Sequence, residues 1–166
     1  SFIDDFESAM EHLGAQGVGK SFFVYKYHDL DISLPRTEQK ISKGHRGFEV
    51  SLATEEKEAS RRRDFTINAM AYDLSSNRLI DPVGAQLDLK NKTIRMVSKD
   101  IFKRDPVRLL RAYRIAAEFQ FEIDRQTTAA IKKDAALLQQ SAVERVRAEF
   151  FKMLQCAGSH PYLSQM

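Results

Sequence analysis

Asp105-Pro-Val-Arg-Leu-Leu-Arg-Ala-Tyr-Arg-Ile-Ala-Ala-Glu-Phe119 is the stretch around which the rest of the chain is organised. Asp105 suits an N-cap, and Pro106 suits the first helical position, where its missing N–H is no loss. At about 100° per residue, Leu109, Leu110, Tyr113, Ala116 and Ala117 form one apolar face. Arg108, Arg111 and Arg114 fall within an arc of about 120° on the opposite side. A helix over 105–120 therefore buries one side and carries a row of guanidiniums on the other. Taken alone, that row reads first as a solvated basic face, and a ligand-facing role needs support from elsewhere.

Working outward, helical spacing recurs at 99–104, 127–139 and 142–156, beyond a short extended stretch Thr93–Val97. Thr127 and Ser141 stand where N-caps are expected, and Ser141-Ala-Val-Glu144 fits a capping box. Towards the N-terminus the character is mixed. Residues 2–13 repeat Phe2, Ile3, Phe6, Met10 and Leu13 at helical spacing, with Gly14 as a stop. Phe22–Tyr27 and Asp31–Leu34 read as strands, the second ended by Pro35. Residues 37–47 read as a basic loop, and Phe48–Leu52 as a strand. Residues 55–68 read as a helix carrying Arg61-Arg-Arg-Asp64, followed by a hairpin, Ala69–Asp73 and Arg78–Ile80 around Ser75-Ser-Asn77. The expected fold class is α/β (α+β), with a mixed α/β lobe over 1–90 and an all-helical lobe over 91–166.

The 166 residues can hold one sizeable core or two small lobes sharing a helical connection. With 43% hydrophobic and 30% charged residues, the composition is that of a globular chain and not of a disordered one. A formal net charge of +3 permits a polyanionic partner without demanding one. The single cysteine, Cys156, excludes an internal disulfide and fits a reducing, cytoplasmic setting. No apolar run approaches the roughly 18–20 residues of a membrane span and no signal peptide is visible, so no membrane association is expected. The chain opens at Ser1 and closes on a loose Gly158-Ser-His-Pro-Tyr162 stretch, and is expected to be a fragment of something longer.

Several constellations could carry chemistry. Gly14-Ala-Gln-Gly-Val-Gly-Lys-Ser21 matches the phosphate-loop expression GxxxxGK[ST]. That loop needs a strand before it and a helix after it, and here the order is reversed, so it reads as a helix-to-strand turn. Asp29 and Asp31 fall on one face of a strand by the period of two, as a Mg²⁺ ligand pair or as a strand end facing water. Arg61-Arg-Arg-Asp64-Phe-Thr-Ile-Asn68 can hold triphosphate and ribose together, the arginines by bidentate phosphate contact and the asparagine through a hydroxyl. The plain alternative is a charged helix start with local pairing. Asp105 and Arg108, three apart, set an acceptor beside a donor fork that can read the edge of a nucleobase. Glu144-Arg145-Val-Arg-Ala-Glu149 reads by default as a surface i,i+4 Arg–Glu pair.

Arg62-Arg-Asp64-Phe-Thr-Ile-Asn68-Ala-Met70 closely resembles the Arg-Arg-Asp-x-x-x-Asn-Ala motif of the class II tRNA nucleotidyltransferase (CCA-adding enzyme) and bacterial poly(A) polymerase family. Further matches follow in the family's order. Gly19-Lys20-Ser-Phe22 with Asp31-Ile-Ser-Leu-Pro-Arg36 resembles its palm strands, and Asp81-Pro-Val-Gly84 through Asp88-Leu89 to Ile94-Arg95 its hinge. Asp105-Pro-x-Arg108-x-Leu-Arg111-Ala-x-Arg114 resembles its base-reading helix, and Glu144-Arg145-x-x-x-Glu149 its last motif. The resemblance spans residues 17–155. It implies a partial nucleotidyltransferase palm, or head, over 1–90 and a helical neck over 91–166. It implies Asp31 as a third catalytic carboxylate near the metal ions, and Arg63, Asp64 and Asn68 as holders of the ribose and triphosphate. Asp105 and Arg108 would template the base, with Arg111 and Arg114 on the same nucleotide-facing side, while Glu144, Arg145 and Glu149 would brace the helix. The implied reaction transfers a nucleotide from CTP or ATP to a tRNA 3′ end with Mg²⁺, by in-line phosphoryl chemistry in which positioning and charge neutralisation supply most of the catalysis.

Three departures accompany the match. The family's glycine-rich loop and Asp-x-Asp metal pair belong before the strand Phe22–Tyr27, and the residues preceding it contain neither, so the chain alone is expected to be inactive. Arg104 stands where the family usually has Glu, and Gly84-Ala85 replaces a common Gly-Gly. The intact Glu-Arg-x-x-x-Glu favours CCA addition over poly(A) polymerase, and leaves CC-only and A-only addition open. The rival class is a non-catalytic basic RNA-binding module with Arg108, Arg111, Arg114 and the loop Lys43–Arg46 on phosphates.

Overall fold

Leu109, Leu110, Tyr113, Ala116 and Ala117 are all buried, so the apolar face legible in the sequence is the face the protein turns inward. The computed structural model describes residues 2–18, 24–33, 36–40, 48–52 and 56–166. Two compact units divide the chain, Ser1–Glu55 and Glu56–Met166.

In the first unit, α1 (Phe2–His12) ends at Gly14, whose φ of 72° is a left-handed turn that glycine adopts without penalty. A three-stranded antiparallel sheet follows in the order β1 (Gln16–Gly17), β2 (Val24–Tyr27), β3 (Leu30–Ser33). A helix thus precedes the phosphate-loop look-alike, as its dismissal requires. Tyr27 pairs with Leu30, so Asp29 lies in the two-residue turn beside His28, at φ 52°, and does not share a strand face with Asp31. The expected carboxylate pair is corrected to a single strand carboxylate. The expected basic loop 37–47 is also corrected in part: Arg36–Lys40 forms β4, antiparallel to β5 (Phe48–Leu52). Ladder pairing, and not apolar alternation, makes that strand. Residues 41–47, with the phosphate contacts expected at Lys43–Arg46, lie outside the described residues, as do Phe22, Phe23, Leu34 and Pro35.

The second unit opens with α2 (Glu56–Arg61), which is much shorter than the helix expected over 55–68. The chain turns at 62–64, bridges Phe65 to Met96 and makes one 3₁₀ turn over Thr66–Asn68. A hairpin of β6 (Ala71–Asp73) and β7 (Arg78–Ile80) follows as expected. Asp81 accepts from the N–H groups of Ala85 (2.7 Å) and Gln86 (3.0 Å), starting α3 (Ala85–Lys90) after Gly84 at φ 76°. β8 (Thr93–Ile94) leads to α4 (Ile101–Arg104) and α5 (Arg108–Phe119), and β9 (Glu122–Ile123) returns parallel to β8. Then come α6 (Arg125–Asp134), a 3₁₀ segment Ala135–Gln140, α7 (Val143–Leu154) and α8 (His160–Leu163). The ending at 158–162, expected to be loose, is therefore mostly helical.

Two expected caps are replaced. α6 is capped by Asp124, whose carboxylate accepts from the Thr127 N–H at 3.1 Å. Thr127 is fully buried, and its hydroxyl oxygen accepts from the Met96 N–H at 3.0 Å. The capping box at Ser141 does not form: α7 begins after Ala142, and the Ser141 hydroxyl is buried without a partner.

The core of this unit clusters Phe65, Ile94, Ile101, Phe102, Ile115, Ile131 and Met153 around α5. Burying each such large side chain is worth about 1.5–3 kcal/mol, which fixes α5 against α7 and α8. Among the described residues no helix is long and apolar enough to cross a membrane.

Candidate nucleotide-binding site

The turn after α2 is stitched in place by backbone bonds. Arg63 N–H donates to Ser60 O (3.0 Å), Thr66 N–H to Arg95 O (2.9 Å) and Val97 N–H to Asp64 O (3.1 Å). Asp64 is 6% exposed, and both of its oxygens are engaged. Oδ1 accepts from Phe65 N–H (2.9 Å) and Asn68 Nδ2 (3.1 Å), and Oδ2 accepts from Arg111 Nε (2.7 Å) and lies 2.7 Å from Nη2. Burial alone would raise its carboxyl pKa. The Arg111 charge and the bonds from Asn68, Arg111 and Phe65 outweigh burial and hold it below its ordinary value.

The guanidinium row of α5 is consequently not a solvated face. Arg114 donates through Nε to Glu149 Oε2 (2.7 Å) and through Nη1 to Glu118 Oε2 (2.6 Å), and Arg111 Nη1 lies 3.7 Å from Glu149 Oε1. Glu149, on α7, is 7% exposed. It serves these two arginines and Lys152, 3.5 Å away. The default i,i+4 pair with Arg145 gives way to these tertiary partners: Arg145 Nη2 instead donates to Asp105 Oδ2 at 2.7 Å. Arg145 and Glu149 thus tie α7 to the start and middle of α5, while Glu144 is exposed in the first turn of α7.

Asp105 keeps the extended backbone of an N-cap (φ −148°, ψ 98°), and its Oδ1 accepts from Val107 N–H at 3.3 Å. Its carbonyl accepts from Arg108 N–H at 3.1 Å, a tight first turn that delays the regular helix to Arg108. Arg108 Nη2 donates to Arg62 O at 2.8 Å, and its Nη1 is buried without a partner. Burial pulls the Arg108 pKa down; Asp64 and Asp105 oppose that, and the neighbouring charges of Arg104 and Arg111 reinforce it.

Arg63, Asp64, Asn68, Arg111 and Arg114 line one cleft of about 410 Å³, together with Ile115, Glu118 and Phe119. Five of the seven residues expected to bind nucleotide therefore converge, from segments more than 40 residues apart. Asp105 and Arg108 are not among the lining side chains. Sequence reasoning missed Glu118, whose i,i+4 spacing from Arg114 was the available signal, and Phe119, an aromatic left 52% exposed at the end of α5. It also missed the support beneath the turn. Thr66 donates to Asp88 Oδ2 (2.7 Å), and Arg95 joins Asp88 to Asp124.

Asp31 lies in the first unit with its side chain 68% exposed, 3.9 Å from Lys26 Nζ. Among the described residues no group of three potential ligands gathers around it or elsewhere. One exposed carboxylate paired with a lysine does not by itself make a Mg²⁺ site.

Residues 2–95 match the family described as the poly(A) polymerase head domain. The chain belongs to this family. Residues 120–166 match a second description, the probable RNA- and SrmB-binding site of polymerase A. The motif resemblance to class II tRNA nucleotidyltransferases is upheld. The chain is 46% identical over 104 residues to the CC-adding tRNA nucleotidyltransferase of Geobacter sulfurreducens, covering 63% of this chain and 24% of that protein. It therefore spans about a quarter of the length of that curated relative. With the Bacillus stearothermophilus CCA-adding enzyme in complex with CTP, the TM-score is 0.77 at 27% identity, over 91% of this chain and 37% of that one. With a tRNA nucleotidyltransferase complexed with a primer tRNA and an incoming ATP analogue, it is 0.73 at 29% identity, over 98% and 47%. The mixed helix-and-sheet fold is that of the family's head and neck.

Proposed function

We propose that this chain is the nucleotide-reading part of a template-independent nucleotidyltransferase that adds CCA, or part of it, to tRNA 3′ ends from CTP and ATP. The observation that carries the reading is the convergence of Arg63, Asp64, Asn68, Arg111 and Arg114 on one cleft. In this reading Arg63, exposed on the turn, meets the triphosphate, and Asn68 meets the ribose. Asp64 acts by orientation, because its two oxygens hold Asn68 and Arg111. Arg111 and Arg114 face the same phosphates, pre-aligned by Asp64 and Glu149, a geometry that costs little to organise when the ligand arrives. Asp105 and Arg108 read the base at the head of α5. Arg145 and Glu149 hold that helix, with Glu144 at the start of α7.

Residues 1–90 are then the remainder of the head and 91–166 the neck. The compact units divide earlier, at Glu55/Glu56, so the Arg62–Asn68 motif lies in the same compact unit as residues 91–166. In the whole enzyme Mg²⁺ would activate the 3′-hydroxyl and steady the leaving pyrophosphate, with Asp31 proposed as one carboxylate towards it. Poly(A) addition is the nearer alternative. The RNA-module reading is disfavoured because Asp64 and Glu149 fix the directions of Arg111 and Arg114, whereas a generic phosphate-backbone surface needs no such alignment.

The test is thermal protection by nucleotides. CTP and ATP are expected to raise the melting temperature more than GTP and UTP do. Asp105→Asn, which retains an acceptor for the Val107 N–H, is expected to erase that preference. Protection by RNA alone, steeply salt-dependent and indifferent to Asp105, would instead establish the RNA-binding module.

A further inference from the structure

The last carbonyls of a helix lack intrahelical donors and carry the negative end of its dipole. At the end of α2, two arginines from another part of the chain supply donors. Arg104 Nη1 donates to Arg61 O at 3.3 Å, and Arg108 Nη2 donates to Arg62 O at 2.8 Å. Arg104 is itself held, with Nε donating to Asp100 Oδ2 (2.8 Å) and Nη2 2.7 Å from the same oxygen. Asp100 in turn accepts from the Ser98 hydroxyl at 2.6 Å.

We propose that Arg104 is a positioning residue: with Arg108 it clips the consecutive carbonyls of Arg61 and Arg62 to the head of α5, and so sets the Arg63–Asp64 turn against the nucleotide. The inference rests on the nucleotide-binding reading above and deepens it. Arg108 divides its guanidinium between two tasks, with Nη2 on the turn and Nη1 buried and unspent. The group offered to the base is thereby registered against the groups offered to the phosphates. Arg104 supplies the second point of the clip, and two points prevent the turn from pivoting about one bond. A carboxylate at position 104 could not donate to the Arg61 carbonyl, so the second point depends on the guanidinium.

Arg104→Gln, Arg104→Lys and Asp100→Asn in the full chain test the proposal. CTP and ATP affinities are read by calorimetry, and backbone exchange at 62–65 by hydrogen–deuterium exchange. Arg104→Gln is expected to weaken CTP and ATP by one common factor, about three- to tenfold for a half-exposed charged donor. Exchange at 62–65 should rise while 112–117 in α5 stays protected. Arg104→Lys should recover part of the loss, because one ammonium can reach Asp100 or the carbonyl but lacks the fork to hold both. Asp100→Asn, which loosens Arg104 without removing it, should shift both readouts the same way by less. Unchanged affinities with unchanged exchange overturn the clip. A changed CTP-to-ATP ratio also overturns it, by placing Arg104 at the base. If the wild-type chain binds neither nucleotide, the nucleotide-binding reading fails, while the exchange result still decides whether the clip exists.

Discussion

The pair between Asp64 and Arg111 is the joint between the Arg62–Asn68 motif and α5, and a double-mutant cycle across it measures what that joint is worth. Asp64→Asn preserves the shape and the acceptor for Phe65 N–H but removes the charge facing Arg111. Two contacts at 2.7 Å are lost, because the amide NH2 stands where Oδ2 accepted. Hydrogen bonds to charged groups contribute about 1.5–3 kcal/mol each. Both contacts share one oxygen, and the Arg111 side chain is 33% exposed, so the pair together is expected to contribute ~2–3 kcal/mol. Arg111→Gln should cost a similar amount, because it leaves Asp64 buried without its cation. In the double variant the losses should not add, giving a coupling energy of ~1.5–2.5 kcal/mol. The chain has two compact units, so a global melt would mix their transitions. Opening free energies from native-state hydrogen exchange of buried α5 amides, such as those of Ala112 and Ala116, report the second unit alone. A coupling energy under ~0.5 kcal/mol would refute the reasoning and return the arginine row to the status of a solvated face.

Two further outcomes follow from the same geometry. Asp64 titrates below the ordinary carboxylate value of about 4 in the folded chain. Its contribution to stability is therefore full above that value and is lost as pH falls through it towards the depressed folded value. Acid titration of wild type against Asp64→Asn, followed by α5 amide exchange, should show a shallower loss in the variant; parallel curves would remove Asp64 from the acid response. Thr127→Val should cost about 1–3 kcal/mol despite preserving volume, because the Met96 N–H loses its acceptor at a fully buried position. An unchanged opening free energy of the α5 amides would show that water or another acceptor takes its place.

How much was legible in the sequence depended on whether the deciding contact was local. The apolar face of α5 repeats within one helix, and every residue assigned to it is buried. The hairpin at 71–80 and the stop at Gly14 are equally local, set by turn residues and a left-handed φ. Errors arose where a distant partner decided. Thr127 looked like a cap, but Met96 N–H claims its hydroxyl oxygen and Asp124 takes the capping role. Arg145 and Glu149 have the spacing of a helical pair, yet Asp105 and Arg114 outbid them from α5 and its approach. The helix expected over 55–68 stops at Arg61 because Asp64 O and Thr66 N–H bond across the chain to Val97 N–H and Arg95 O, where a continuing helix would have paired them locally. β4 carries no alternation to read, since its strand character comes from pairing with β5. The five expected residues that converge on the cleft were legible by identity and order, and their bonding was not.

That difference changes what the cleft is. Its lining carries three arginines, Arg63, Arg111 and Arg114, against the two carboxylates Asp64 and Glu118, and Glu149 lies directly behind two of those arginines. A row read as free positive charge is thus close to balanced before any ligand arrives. Charge attraction alone would favour the opposite arrangement, with unpaired arginines. Orientation favours this one: a guanidinium held by a carboxylate through Nε and one terminal nitrogen points its remaining N–H donors in a fixed direction. Unpaired arginines would bind polyanions broadly, whereas paired ones reward a ligand whose acceptors match the fixed donors. The carboxylates therefore trade raw electrostatic affinity for directed donors, the arrangement that the proposed nucleotide reading requires and a generic basic surface does not.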